Sequence, residues 1–506
     1  MSDFDTTSYW SASGPLPRFA ALDRNVSVDV AVIGGGITGI TTAYLLKRAG
    51  RTVALLDRRR MASVDTGHTT AHVTHVTDLR LTDLEKNFGR DHAQAVWDAG
   101  RAAQWQIEAN VDAEQIDCGF QWVNAWLHAP VNEERKGDFH FEREATLASE
   151  LGFDARFLDQ VPFMERPGIE FAGQALFHPR QYLRALLETI SGQGSHVFEH
   201  TDVEEVCPDP LTVVSGGHRI SCGYVVIATH TPLMGKNNLA SATLFQTKLA
   251  LYTSYAVGGR VAAGLIPPGS YWDTADPYDY LRVDPHRNHD YVILGGEDHK
   301  TGQEEDSRQC YARLERRLRA LAPEVEVTHR WSGQVIETND GLPFIGESSD
   351  RQFVSTGFAG NGMTFGTLAA MMASDAVAGR PNPWKDLFDP SRTKVTGGLW
   401  DYIRENKDYP YYLIRDRFAG AEGKTLRGLK PGQGKILELG GERVAAYRDE
   451  SGRVTRLSPV CTHMGCLVAW NAAEHTWDCP CHGSRFEPKG KVLSGPAESP
   501  LTRTDE

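Results

Sequence analysis

The stretch Ser27-Val28-Asp29-Val30-Ala31-Val32-Ile33-Gly34-Gly35-Gly36-Ile37-Thr38-Gly39 decides how most of the chain reads. Its first seven residues have the apolar pattern of a short buried strand. Gly34, Gly36 and Gly39 then spell G-x-G-x-x-G, and Ile40 to Arg48 carry apolar residues at helical spacing. Arg51 to Leu56 is a second strand pattern that ends at Asp57. Strand, glycine turn, helix, strand and acidic residue in that order form a dinucleotide-binding βαβ unit. The first glycine permits the tight turn, the second lets a pyrophosphate approach, and the third lets helix pack on strand. The helix N-terminus offers positive potential to the phosphates, and Asp57 is placed to bind ribose hydroxyls. The fingerprint does not choose between NAD and FAD.

Three further segments bear on that choice. Thr66-Gly67-His68-Thr69-Thr70-Ala71 is a small-residue loop after the second strand, and Val225-Val226-Ile227-Ala228-Thr229 is a later strand ending in small residues. Trp331 to Gly366 holds Asp340-Gly341-Leu342-Pro343-Phe344-Ile345-Gly346, the strand Phe353–Thr356, and Gly357-Phe358-Ala359-Gly360-Asn361-Gly362-Met363-Thr364 opening a helix over Phe365 to Ala378. On these motifs residues 27–380 resemble the D-amino-acid oxidase and sarcosine oxidase (DAO) family of FAD enzymes. The resemblance implies a Rossmann-type FAD domain with an antiparallel sheet inserted over the isoalloxazine. It implies FAD contacts from Gly34, Gly36, Thr38, Gly39, Asp57, Arg58, His68, Thr69, Thr70, Val203 and Ala228. Gly360, Gly362, Met363 and Thr364 would lie near the flavin ring, where a helix dipole favours the reduced anion. His68 also loosely resembles a site of covalent FAD attachment, although a packing or hydrogen-bonding histidine is the simpler reading. A metal held by His68, His72 and His75 is disfavoured because FAD should fill that loop.

A second stretch organises the C-terminal end: Cys461-Thr462-His463-Met464-Gly465-Cys466, answered by Cys479-Pro480-Cys481-His482-Gly483-Ser484. Each loop carries a cysteine–histidine pair, Cys461-x-His463 in the first and Cys479-x-x-His482 in the second. Two thiolates and two imidazoles suit a [2Fe–2S] centre in which His replaces Cys on one iron. Zinc is the alternative for a Cys2His2 set, but zinc fingers usually pair the cysteines in one loop and the histidines on one helix. The two loops closely resemble the Rieske motif, which implies Cys461, His463, Cys479 and His482 as ligands. By the same resemblance Cys466 and Cys481 form a disulfide tying the loops together. Ser484 stands where the family has a serine that hydrogen-bonds the cluster. Phe486 stands where high-potential members carry a tyrosine, which predicts a lowered potential.

The 506-residue chain has 41% hydrophobic and 24% charged residues and a formal charge of −13. That charge argues against nucleic acid or an anionic membrane as partner. No apolar run approaches the ~18 residues of a membrane span, and Met1 to Pro17 lacks the features of a signal peptide. Cys118, Cys207, Cys222 and Cys310 lack pairing logic and read as free thiols, which points to the cytoplasm. A Cys466–Cys481 disulfide would be an exception there.

Residues 90–200 read as mainly helical, with an amphipathic stretch from Tyr182 to Ile190. Residues 245–300 alternate like strands, at Leu249 to Val257, Tyr280 to Val283 and Tyr291 to Gly295, and should form the substrate-side sheet. Their aromatic residues Tyr252, Tyr255, Tyr271, Trp272, Tyr278 and Tyr280 could box a cationic amine or simply pack. Arg282 and His299 are the polar substrate-site candidates beside Tyr252 and Tyr280. After Trp331-Ser332-Gly333 the chain has Gln334, Val335 and Ile336, where amino acid oxidases place a carboxylate-binding Arg. Where sarcosine oxidases use a Lys to promote reaction with oxygen, Ile293 is expected. Both departures favour a dehydrogenase.

The expected fold class is α/β + all-β: an FAD-binding Rossmann-type domain with an inserted antiparallel substrate sheet, then a small all-β Rieske domain. Residues 1–385 form the DAO-like domain, with FAD-binding segments about 27–80, 200–235 and 330–380. Residues 386–425 are a packed connector, and 426–506 the Rieske domain. The whole chain resembles bacterial FAD-dependent oxidoreductases with a C-terminal Rieske domain. Such a fusion implies oxidation of a C–N bond, in an amine or N-substituted amino acid, with electrons leaving FAD singly through the cluster to an external acceptor. Alternatives are an oxygen-using amine oxidase with a structural or regulatory cluster, and a non-enzymatic electron carrier or redox sensor. A Rieske oxygenase would need a mononuclear iron domain after the cluster, and a NAD(P)H-dependent reductase would need a second fingerprint.

Overall fold

The computed structural model describes residues 5–131, 139–231, 249–304, 306–392 and 421–504. Strand Val26–Ile33 is buried continuously from Val30, and all of Val53–Leu56 is buried. Unbroken apolar runs of this kind belong to parallel strands covered on both faces. They lie side by side, with Val30 opposite Val53 and Ile33 opposite Leu56. The sheet runs in the order Phe344–Ser349, Gln352–Thr356, His218–Ile227, Val26–Ile33, Val53–Leu56, His196–Phe198, and the hairpin Glu205–Pro208/Leu211–Ser215 extends it. Helices Ile37–Arg48 and Gly362–Val377 pack on each other, and helix Arg90–Glu114 packs on the latter.

The second sheet is wider than the sequence predicts. It runs Glu326–Thr338, Leu249–Val261, Asp290–Lys300, Tyr280–Pro285, Gly269–Asp273, Gln121–His128, Gly168–Leu176, Ala155–Leu158. It is antiparallel except where Gly269–Asp273 meets Gln121–His128 in parallel. Residues 90–200 are therefore not mainly helical: helices Arg90–Glu114, Phe141–Glu150 and Pro179–Ile190 alternate with three strands of this sheet. Pairing with distant partners overrides local propensity there. Helix Ser307–Leu321 turns its buried stripe, Cys310, Tyr311, Leu314 and Leu318, onto Leu249–Val261 and Asp290–Lys300.

Helix Tyr9–Ser13 buries Trp10, whose indole N–H donates to Thr69 O at 2.7 Å. The polar N-terminal stretch thus pins the Thr66–Ala71 loop. Past helix Lys385–Phe388, Arg392 makes a two-pronged pair with Asp340, at 2.8 Å on each side, and stacks over Phe344. The expected connector residues 393–420, including Trp400, Tyr402, Ile403 and Tyr409 to Tyr412, lie outside the described residues.

The C-terminal unit has two small antiparallel sheets, Gln433–Leu439/Glu442–Arg448/Val454–Leu457 and Ala469–Asn471/Thr476–Asp478/Arg485–Phe486/Val492–Ser494. Its core joins Trp477, Phe486 and Leu457 to Cys461, Cys466 and Cys479. Among the described residues no helix is long and apolar enough to cross a membrane.

Candidate functional site

One large cavity opens between the two big sheets. Its wall includes Gly34, Gly36, Thr38, Asp57, Arg58, His68, Thr69, Thr70, Val203, Ala228, Gly360, Gly362 and Met363. Thus, of the positions expected to touch FAD, all but Gly39 and Thr364 line it. Gly39 serves from behind: a Cβ there would lie 1.8 Å from Gly34 O. The Thr364 hydroxyl instead donates to Thr74 O at 2.8 Å and fixes the helix on its neighbour. Gly34 has φ +109°, and a Cβ on it would lie 2.3 Å from Ala228 O. Only glycine fits that turn.

Two helix N-termini open on this cavity, those of Ile37–Arg48 and Gly362–Val377. Neither Gly36 nor Asn361 caps its helix with a side chain. Both therefore present partial positive charge to an anion. Asp57 accepts from Gly35 N–H and Arg59 N–H, each at 2.7 Å. Each oxygen keeps a lone pair for a ribose hydroxyl. Burial raises its pKa against the opposing effect of those N–H groups. Two polar atoms of the wall, Gln334 Oε1 and His72 Nε2, are buried without a hydrogen-bond partner. A polar ligand would satisfy them. FAD therefore fits these residues, and His68, at the wall with Nδ1 2.8 Å from Val64 O, is free to pack on it. His75 lies elsewhere, 3.0 Å from Gln104 Oε1 and stacked on Phe153, so the three loop histidines do not converge on a metal.

The substrate-side expectations divide. Tyr280, Tyr278 and Trp272 line the cavity. Arg282 does not. It is fully buried, pairs with Asp284 at 2.6 Å, and donates to Thr70 O, Ala71 O and Phe177 O. Its guanidinium braces the cofactor loop from beneath. His299 stacks on Tyr255 at 5.5 Å, outside the cavity wall, and Tyr252 is also outside it. Ile293 is buried in the main core, so the strand position expected to carry an oxygen-promoting Lys does not face the cavity. Sequence reasoning missed Asp78, Ser254, Asp298 and, as a bridging group, Gln334, all in the wall. Their distance apart in sequence left no local signal.

The two cysteine–histidine loops fold alike. Cys461 N–H donates to Cys466 O at 2.8 Å and Gly465 N–H to Cys461 O at 3.0 Å. Cys479 N–H donates to Ser484 O at 2.8 Å and Gly483 N–H to Cys479 O at 3.0 Å. Gly465 and Gly483 sit at φ +80° and +69°, where the chain must turn back. The loops are joined by a Cys466–Cys481 disulfide. The His463 and His482 rings stand perpendicular with centroids 5.0 Å apart. Burial pushes both imidazoles down to about 4, so each is in the neutral, ligating form at pH 7. The hydrogen bond from the Cys479 thiol lowers the pKa of the Cys461 thiol against the effect of burial, and the same contact raises that of Cys479. Two thiols and two imidazoles at one end of the unit can hold a [2Fe–2S] cluster. The four remaining cysteines are unpaired. Phe486 is fully buried in the same apolar core as Cys461 and Cys479. Phe486→Tyr is expected to raise the cluster's potential in an EPR-monitored redox titration. An unchanged potential would count against the missing hydroxyl as its regulator.

The cluster end of this unit is seated on the cavity. Gln334 Nε2 donates to Gly483 O at 2.8 Å, one residue from His482. Gln303 Nε2 donates to Pro480 O at 3.2 Å, and Gly302 lies against Cys479 and Pro480 so closely that a Cβ would approach them within 3 Å. Ser494 to Glu498 form part of the cavity wall itself. Arg59 pairs with Glu487 at 2.6 Å and donates to Val492 O at 3.1 Å. Ser307 Oγ donates to Asn471 Oδ1 at 2.7 Å, and Tyr311 donates to Glu474.

Comparison with known proteins agrees with this division. The family model described as FAD dependent oxidoreductase (DAO) matches residues 29–376, and that of the Rieske [2Fe-2S] domain matches residues 424–505. A protein of Bacillus subtilis (strain 168) named for a Rieske 2Fe-2S iron–sulfur centre, YhfW, is 35% identical over 505 residues, covering 98% of this chain and 97% of that one. Gamma-glutamylputrescine oxidoreductase of Escherichia coli (strain K12) is 22% identical over 438 residues, 81% of this chain and 98% of that one. Among solved structures, glycine oxidase from Geobacillus kaustophilus aligns with a TM-score of 0.60 at 18% identity, over 73% of this chain and all of that one. L-proline dehydrogenase from P. horikoshii aligns with a TM-score of 0.56 at 17% identity, over 73% of this chain and 98% of that one. The fold, the cavity and these matches agree: the chain is an oxidoreductase that binds FAD and a [2Fe–2S] cluster, and it belongs to the FAD dependent oxidoreductase (DAO) family, with a Rieske domain at its C-terminal end.

Proposed function

We propose that the protein is a dehydrogenase that oxidises a C–N bond of an amine or N-substituted amino acid and delivers the electrons singly, through its Rieske cluster, to an external acceptor. FAD supplies a two-electron hydride acceptor and the cluster a one-electron acceptor. In this reading the glycine turn, Asp57, Arg58 and the Gly360–Met363 turn hold FAD. Cys461, His463, Cys479 and His482 hold the cluster.

The observation that carries the reading is the seating of the cluster loop on the cofactor cavity. Gln334 lines that cavity and donates to Gly483 O, beside His482. That contact brings the cluster loop to the wall of the flavin cavity, as a relay between the two cofactors requires. The aromatic wall and two half-buried carboxyl groups of the cavity suit a cationic substrate, and the relative from Escherichia coli acts, by its name, on an amine derivative. A cytoplasmic location belongs to this reading, supported by the free thiols of Cys118, Cys207, Cys222 and Cys310.

Anaerobic photoreduction of the flavin with EPR detection of the cluster tests the relay without knowledge of the substrate. A reduced-Rieske signal should grow as the flavin reoxidises. Gln334→Leu, with both cofactors present, should slow that transfer about tenfold or more through loss of the contact. A flavin that stays reduced beside an oxidised cluster would overturn the relay. An oxygen-linked oxidase, detected by peroxide release in air, would then take its place.

A further inference from the structure

The substrate-side wall of the cavity carries two carboxyl groups. Asp298 is on strand Asp290–Lys300, and the Ser254 hydroxyl on the neighbouring strand donates to its Oδ1 at 2.6 Å. Ser254 Oγ also meets the Tyr280 hydroxyl at 2.7 Å. Asp78 accepts from the Tyr278 hydroxyl, 3.1 Å from each carboxylate oxygen. All five side chains line the cavity, as does Trp272.

Among the described residues no cation lies within ion-pair distance of either carboxyl group. Arg317 and Arg313 of the adjoining helix are committed elsewhere. Arg317 pairs with Asp279 at 2.9 Å and Glu297 at 2.6 Å, and Arg313 pairs with Glu297 at 2.6 Å. Asp298 feels the like charges of Asp78, Asp279 and Glu297, and of the two cavity carboxyl groups Arg80 moderates only Asp78. Burial first, and these like charges second, raise Asp298 to about 7 against the opposing Ser254 hydrogen bond. The same cavity holds Gln334 Oε1 and His72 Nε2, buried polar atoms without a hydrogen-bond partner that FAD or a polar substrate would satisfy. A carboxyl group so placed is half ionised near neutrality and lacks a counter-ion of its own.

We propose that Asp298 is the anchor and proton acceptor for the substrate's ammonium group, an inference that rests on the amine reading above. An alkylammonium has no lone pair with which to form a C=N bond. Asp298 takes one N–H proton: that N–H bond breaks and an O–H bond forms on the carboxylate. The freed lone pair forms C=N as the α C–H bond breaks, its hydride and both electrons going to FAD. The product is an iminium, which water hydrolyses. Ser254 orients the accepting carboxylate, and the Tyr278 and Tyr280 rings flank the cation. Asp78 adds negative potential behind them.

The test is anaerobic titration of the holoenzyme with n-butylammonium, read by perturbation of the flavin absorption and by calorimetry, on either side of pH 7. A raised carboxyl pKa means that the anion is present above it and lost below it. Affinity should therefore rise about tenfold per unit as pH increases toward the break, and level off above it. Asp298→Asn should weaken binding at least about tenfold and remove the break. Ser254→Ala should move the break to higher pH, because it loses a hydrogen bond that favours the carboxylate. Normal flavin and cluster spectra report that each variant is folded. If Asp298→Asn fails to fold, the direction of the Ser254→Ala shift decides. An Asp298→Asn protein with wild-type affinity and an unmoved break would overturn the role of Asp298 and leave the amine reading standing. Wild-type protein that binds n-butanol as tightly as n-butylammonium at every pH would overturn the amine reading itself.

Discussion

His482→Ala is expected to yield a flavin-containing protein with no Rieske EPR signal. The imidazole is one of two that can complete an iron's coordination, and alanine has no donor to replace it. The loop itself should survive. Its turn is closed by Gly483 N–H on Cys479 O and by the Cys466–Cys481 disulfide, neither of which uses the imidazole. FAD should also survive, because its cavity is built mainly from the N-terminal sheet and the Gly360–Met363 turn. The variant therefore separates the two cofactors. Photoreduced flavin in it should stay reduced under anaerobic conditions, and iron analysis should show the cluster gone. Iron and the EPR signal retained at wild-type levels would rule His482 out as a ligand. Zinc bound in place of iron by the wild-type protein would overturn the cluster altogether.

Gly39→Ala should cost the protein its flavin. In an exposed helix the same change would stabilise by roughly 1 kcal/mol. Here the new Cβ would lie 1.8 Å from Gly34 O and 3.4 Å from Val32 Cγ1. Neither neighbour can yield cheaply. Gly34 is held in its positive-φ turn by its N–H bond to Leu56 O at 2.8 Å. Val32 lies on a strand paired on both sides, with Leu55 and with Val226. Overpacking of this kind typically costs about 1–3 kcal/mol or more, and the strain falls on the turn that must meet the pyrophosphate. Chemical denaturation should show a loss of about 3 kcal/mol in the larger unit. The absorbance ratio of flavin to protein should fall steeply, while the Rieske signal persists. Unchanged stability and flavin content would mean that helix and strand are not in the close contact described.

The cofactor-binding parts were legible in the sequence because they are local. Gly34 to Asp57 and Cys461 to Ser484 are runs in which residue type and spacing decide both backbone path and chemistry. The substrate side was not. Arg282 reads in the sequence as a polar substrate-site candidate on a strand. Only the surrounding loops reveal that it is spent on Asp284 and on three carbonyls. Asp298 carries no motif, and its environment is assembled from residues 78, 254, 278 and 280 across several strands and a loop. Gln121–His128 reads poorly as a strand because its place in the sheet comes from pairing with Gly168–Leu176 and Gly269–Asp273, not from its own preferences.

By itself the sequence determined that a dinucleotide βαβ unit begins the larger module, that a two-thiolate, two-imidazole loop pair ends the chain, and that the two were joined in one protein. Backbone preferences and ligand chemistry act over a few residues, so these features follow from short stretches. Tertiary structure alone decided where the two modules meet. Gln334 reaches Gly483 across 149 positions, and Arg59 reaches Glu487 from the other end of the chain. Such contacts depend on the complementarity of two folded surfaces, which comes into being only after each sheet has set its register and buried its core.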